Sequence, residues 1–110
     1  MKMGDTWISD IRHFLDEDGM IPFDLPGPAS RLAHYFGSIV ESVSSRQDHN
    51  EFHTGIKCRR RPGHKPCTGK IVAVIDDKNE FAIIWQCPIC DDKGIISGWQ
   101  GTIFDKSSGT

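Results

Sequence analysis

The chain has 110 residues and a mass of 12.3 kDa, which is one ordinary domain and too little for a TIM barrel or a complete dinucleotide-binding fold. Hydrophobic residues make up 37% and charged residues 25%; a chain of this size buries only about 60–68% of its unfolded surface, so a staple is an advantage. A net charge of −2 and a pI near 6.2 argue against a bulk polycation built for nucleic acid.

No stretch reaches the roughly 18 consecutive apolar residues of a membrane span. The opening residues have no apolar core of a signal peptide, because Asp5 and Asp10 interrupt them. A reducing cytoplasm is the expected compartment, and there four cysteines read as ligands or redox groups before they read as disulfides. Charge is uneven along the chain. Residues 1–45 hold three basic against seven acidic residues, and residues 46–110 hold ten against eight together with every cysteine. This predicts a helical N-terminal segment over residues 1–50 and a metal-bearing β segment over residues 51–110, joined in one compact unit.

Trp7, Ile8, Ile11, Phe14 and Leu15 recur at helical spacing and predict a first helix, with Asp5 or Thr6 as its cap and Gly19 closing it in a left-handed conformation. The acidic run Asp16-Glu17-Asp18 falls at its end, where it opposes the helix dipole. A proline-rich connection, 20–27, leads to Pro28, which suits the first turn of a second helix. Ala29, Leu32, Ala33, Phe36, Ile39 or Val40, and Val43 form its apolar face, and it runs to about Ser44. Residues 45–50 are polar and read as a linker.

The period then changes. Lys70 to Ile75 and Glu80 to Gln86 are short β-branched runs across a polar turn, an antiparallel hairpin. Gly94 to Trp99 supplies a third strand, with Thr102 to Phe104 as an extension. Both faces of the hairpin are apolar, where a half-exposed sheet would alternate. One face is therefore expected under the helices and the other under neighbouring chain or another subunit. The resulting expectation is an α+β fold, two N-terminal helices packed on a three-stranded antiparallel sheet.

Cys87-Pro88-Ile89-Cys90 carries the sharpest chemistry. Two thiolates two residues apart clasp one tetrahedral ion, each about 2.3 Å from the metal. Gly94 is expected to let the chain leave that turn. Cys58 and Cys67 form the second pair, around a ten-residue loop with a Pro-Gly turn inside it, and residues 68–86 separate the pairs, enough for one hairpin. His64 is an alternative to Cys58 as fourth ligand. His49 and His53 lack a third ligand and read as exposed linker residues; His13 and His34 read as boundary or surface residues.

Residues 58–104 resemble a zinc ribbon of the rubredoxin-like kind: a cysteine pair, a hairpin, Cys-Pro-x-Cys, a glycine and a closing strand. The first half departs from that pattern, since its loop replaces a tight knuckle. The tail from Gly94 to Thr102, with its Cys-Pro-x-Cys, is also similar to that of small uncharacterised bacterial proteins, a likeness that implies no activity. The resemblance implies one zinc ion held by Cys58, Cys67, Cys87 and Cys90. Iron in the same sulfur cage and a redox-active Cys87/Cys90 pair are the competing readings.

Lys57, Arg59, Arg60, Arg61, Lys65 and Lys70 lie within fourteen residues free of acids. One reading makes Arg59, Arg60, Arg61 and Lys65 phosphate contacts, with Trp85 or Trp99 near for stacking. The other makes the patch compensation for a zinc tetrathiolate of charge −2. No Gly-rich phosphate loop, Ser/His/Asp pattern or paired carboxylates beside a histidine occur, and four cysteines close a zinc shell that catalysis needs open. The expected function is a non-enzymatic zinc-binding module for a protein or nucleic-acid partner, with a homo-oligomer possible. The alternative is a small redox or electron-transfer protein using Cys87 and Cys90 or an iron-loaded site.

Overall fold

A computed structural model describes residues 6–46, 51–59, 65–90 and 92–107. Strand β1 (Thr6–Asp10) leads through a single 3₁₀ turn (Ile11–Phe14) and a loop to helix α1 (Gly27–Ser44). Strands β2 (Phe52–Lys57), β3 (Lys70–Asp76), β4 (Ala82–Gln86) and β5 (Lys93–Ser97) follow. They form one five-stranded sheet in the order β1-β5-β4-β3-β2, antiparallel except that β1 runs parallel to β5. The expected two helices on a three-stranded antiparallel sheet are thus replaced by one helix on a five-stranded mixed sheet. Among the described residues no helix is long and apolar enough to cross a membrane.

The first expected helix is the main correction. Residues 6–10 are strand, with Trp7 packed edge-on against Phe36 of α1 at 6.3 Å and Ile8 on the opposite face. That is period two. Asp10 ends the strand: its carboxylate accepts the Arg12 backbone N–H at 3.0 Å and caps the 3₁₀ turn. Parallel pairing needs close approach of β1 to β5, and Gly94 provides it. A Cβ there would lie 2.6 Å from the Trp7 carbonyl oxygen and 2.7 Å from the Trp85 ring. Gly94 therefore serves strand packing, and the exit from the cysteine turn does not depend on it. Gly19 does adopt positive φ, at 76°, yet it closes a loop instead of a helix. Asp16 organises that loop by accepting the backbone N–H groups of Asp18 and Met20, which gives the acidic run a structural role.

The second helix and the β3–β4 hairpin form where expected. Helix α1 buries Ala33, Phe36, Ile39, Val40 and Val43. Against it the sheet presents Ile71, Ala73, Ile75, Ile83, Trp85 and Ile96, all buried. Phe36 is the centre of an aromatic cluster, with Trp85 at 6.0 Å, Tyr35 at 5.9 Å and Phe14 at 6.3 Å. Strand β2 lies in a stretch to which the sequence assigned no element, just past the expected linker. It pairs with β3, and Thr54 donates its hydroxyl to the Ile71 carbonyl at 2.8 Å. Gly98, at φ 69°, ends β5. The expected strand extension at 102–104 is instead a turn that sends Phe104 onto Gly37, where α1 has no side chain.

Candidate metal centre

Strand order places the four cysteines. The β2–β3 loop and the β4–β5 loop leave the same end of the sheet, because the β3–β4 turn lies at the other. Cys58 follows β2 and Cys67 precedes β3; Cys87 follows β4 and Cys90 precedes β5. Each loop supplies one pair, as the spacing predicted. The long first loop is closed at its base by the Cys58 N–H donating to the Gly69 carbonyl at 3.0 Å.

The sulfurs meet across the loops. Cys58 Sγ lies 3.6 Å from Cys90 Sγ, and Cys67 Sγ lies 3.6 Å from Cys87 Sγ. All four sulfurs are within 4.8 Å of one another. A tetrahedron with metal–sulfur bonds of about 2.3 Å has edges of about 3.8 Å, so the cluster has the size of a tetrathiolate cage. These separations are far beyond the roughly 2.05 Å of a disulfide, and none of the four cysteines is in one. Cys58, Cys67 and Cys87 are buried and Cys90 is half-buried.

Backbone donors surround the sulfurs, as a site that concentrates negative charge requires. Gly69 N–H donates to Cys67 Sγ at 3.3 Å. Burial pushes the Cys87 thiol up, but the N–H groups of Cys90 and Ile89 outweigh it and hold Cys87 below the ordinary thiol range. At Cys90 burial wins and raises the thiol, although the Asp92 N–H pulls the other way. Gly69 is itself part of the site: a Cβ there would overlap Cys87 Sγ and stand 2.9 Å from the Ile89 side chain.

Two residues around the centre carried no sequence signal. Asp92 is 3% exposed; its carbonyl accepts the Cys87 N–H at 2.7 Å and its carboxylate accepts the Trp7 indole at 3.3 Å. It thereby ties β1 to the cysteine loop. Tyr35 links the helix to the same corner, with the Arg59 guanidinium over its ring at 5.5 Å and Trp85 edge-on at 6.2 Å. Burial, helped by the neighbouring Cys58, keeps its phenol protonated far above neutral pH.

Of the expected phosphate contacts, Arg59 and Lys65 are exposed beside the centre, as are Lys57 and Lys70. Arg60, Arg61, His64 and His49 lie outside the described residues. His13, His34 and His53 are exposed. The expected stacking partners are ruled out, since Trp85 and Trp99 are 1% and 4% exposed and pack in the core. Trp99 also donates its indole N–H to the Phe81 carbonyl at 2.8 Å, across the β3–β4 turn.

No family model, no curated protein and no solved structure matches the chain.

Proposed function

We propose that the chain is a small non-enzymatic zinc protein in which Cys58, Cys67, Cys87 and Cys90 hold one structural Zn²⁺, and that it acts by binding a partner through the basic rim of that centre. The observation that supports this reading is the closed sulfur cluster, with its 3.6 Å cross-loop contacts. Four thiolates complete a tetrahedral zinc shell and leave no position for water or substrate. The ion would cross-link the loops that end β2 and β4, so its binding energy becomes folding energy. Native mass spectrometry of the purified protein tests the assignment: one zinc per chain is expected, and Cys90→Ser should lose it along with the native fold of the sheet. Stoichiometric zinc and unchanged thermal stability in Cys90→Ser would refute the four-cysteine site.

Iron is the second reading, supported by the same all-sulfur ligand set. An iron-loaded protein is red and a zinc-loaded one colourless, so the metal content decides it. A dithiol redox role for Cys87 and Cys90 has less support, because each sulfur faces a cysteine of the other loop.

The basic rim defines the partner test. Lys57, Arg59, Lys65 and Lys70 are exposed around the centre, and phosphate contacts are salt-dependent, with a log–log slope of about −0.7 to −0.9 per contact. Arg59 is kept in the test variant because its guanidinium covers Tyr35. Replacing Arg60, Arg61 and Lys65 with Ala should then remove most of the salt slope of oligonucleotide binding and leave zinc bound. Absent binding of DNA and RNA by the unmutated protein at low salt would exclude nucleic acid and leave a protein as partner.

A further inference from the structure

Helix α1 covers one face of the sheet; the other face carries an apolar row. Registered pairing places Ile8, Ile95, Ile84 and Val74 side by side across β1, β5, β4 and β3. Ile8 is 82% exposed and Ile84 36%. A solvent-facing sheet surface normally carries polar residues at these positions. The flanking rows differ in sign. On the side of the cysteines the next row holds Lys93, and on the far side it holds Asp10 and Asp76.

We propose that this face is a dimer interface, occupied by the same face of a second copy of the chain. The charge pattern selects both the occupant and the symmetry. A two-fold axis lying in the interface along the apolar row sets each strand against its own counterpart, running the opposite way. The apolar rows then coincide, and the row with Lys93 of each copy lies over the row with Asp10 and Asp76 of the other. The alternative in-plane axis, along the strands, sets like charges over one another at both ends. The self-complementary arrangement is what a closed two-fold dimer requires. Asp10, on the strand beside the position opposite Lys93, is already paired with Arg12 at 2.6 Å in its own chain, so the apolar rows carry most of the association and the charges mainly choose the axis.

The size of the face sets the strength. Four strands about 4.8 Å apart, with five residues each at about 3.3 Å, span roughly 19 by 17 Å. Two such faces, with side-chain relief, remove on the order of 1,000 Å² from water, the lower end of specific interfaces. Association is therefore reversible, with a dissociation constant on the order of micromolar. The dimer does not depend on the identity of the metal or on the basic rim, which lies at the end of the sheet.

Sedimentation velocity of the full-length, metal-loaded protein over a concentration series is the test. The expected result is a monomer–dimer equilibrium that weakens with salt. Ile84→Asp and, separately, Ile8→Asp should each raise the dissociation constant at least about tenfold, with far-UV spectrum and metal content unchanged. Lys93→Glu should weaken the dimer, and Lys93→Glu with Ser97→Lys, the position that the axis sets opposite residue 93, should recover part of the loss. A protein that stays monomeric at several hundred micromolar would overturn the proposal, as would a dimer indifferent to both isoleucine substitutions. Failure of the charge double variant to recover any affinity would overturn the axis.

Discussion

Gly69→Ala is the most exacting test of the centre, because it adds one methyl group and removes no ligand. The added Cβ would overlap Cys87 Sγ and crowd Ile89, at 2.9 Å from Cγ1 and 3.1 Å from Cβ. Ordinary contact lies at about 3.5–4.0 Å, so the sulfur must retreat by about 1 Å or more. Cys87 is fully buried, and its N–H is held by the Asp92 carbonyl at 2.7 Å, so it has little room to move. A bound metal tolerates ligand displacements of only about 0.2 Å. Moving Gly69 instead breaks its bonds to Cys67 Sγ and from Cys58 N–H, at 3.3 and 3.0 Å, both of which serve the other cysteine pair. Either way a ligand is displaced. The expected loss of zinc affinity is at least about 100-fold, or about 2.7 kcal/mol, measured by competition with a chelator of known affinity. Gly55→Ala is the matched control. Gly55 has φ 78° but nothing within 4 Å of an added Cβ, so the change costs about 1–2 kcal/mol of backbone strain and leaves zinc affinity unaltered. Wild-type affinity in Gly69→Ala would refute the packing argument, and with it the position of Cys87 in the site.

Gly37→Ala in α1 should destabilise although alanine is the better helix former: the gain of about 1 kcal/mol is opposed by about 1–3 kcal/mol of overpacking where the Cβ meets the Phe104 ring. A thermal melt of metal-loaded protein should show a lower midpoint, and pairing the change with Phe104→Leu should restore part of it. Asp10 gives a pH signature. Its carboxyl is held below the usual range chiefly by the Arg12 side chain, so its contribution is full above about pH 4 and is lost as the pH falls through the lowered folded value. Asp10→Asn should flatten the acid limb of stability against pH below about pH 4 and leave the neutral region with no further pH dependence.

What was legible in the sequence depended on whether the signal was local. The stretch from Pro28 to Ser44 carries its apolar face within one helix, and α1 formed with nearly those bounds. The β3–β4 hairpin needs only two β-branched runs and a turn between them. Strand β1 is different. Trp7, Ile8 and Ile11 satisfy a helical stripe as well as a strand, and the choice is made by Gly94, more than eighty residues away, whose missing side chain admits β1 beside β5. Strand β2 was obscured by Gly55, whose positive φ and register irregularity interrupt the alternation of Phe52, Thr54 and Ile56. At the candidate metal centre the meeting of four cysteines could be read from residue type and spacing. Asp92 and Tyr35 could not, because their roles arise only when β1 and α1 dock on the cysteine loops.

The long Cys58–Cys67 loop shows why a departure from tight-knuckle spacing still assembles a compact sulfur cluster. In a short knuckle the turn itself brings the thiols together. Here the β2–β3 pairing does so, ending at Lys57 and Lys70 and extended by the Cys58–Gly69 bond. Once the strands hold the loop ends, the added closure entropy grows only with the logarithm of loop length. The ends of the loop are then set by the strands, and the residues between Cys58 and Cys67 need not form a tight turn. They can then carry the arginines and lysines that offset a dianionic thiolate centre, or that meet a polyanion. The same sheet therefore fixes the sulfur cluster at its end, and the dependence expected on Gly69 is the consequence of placing precision in the strands instead of the turn.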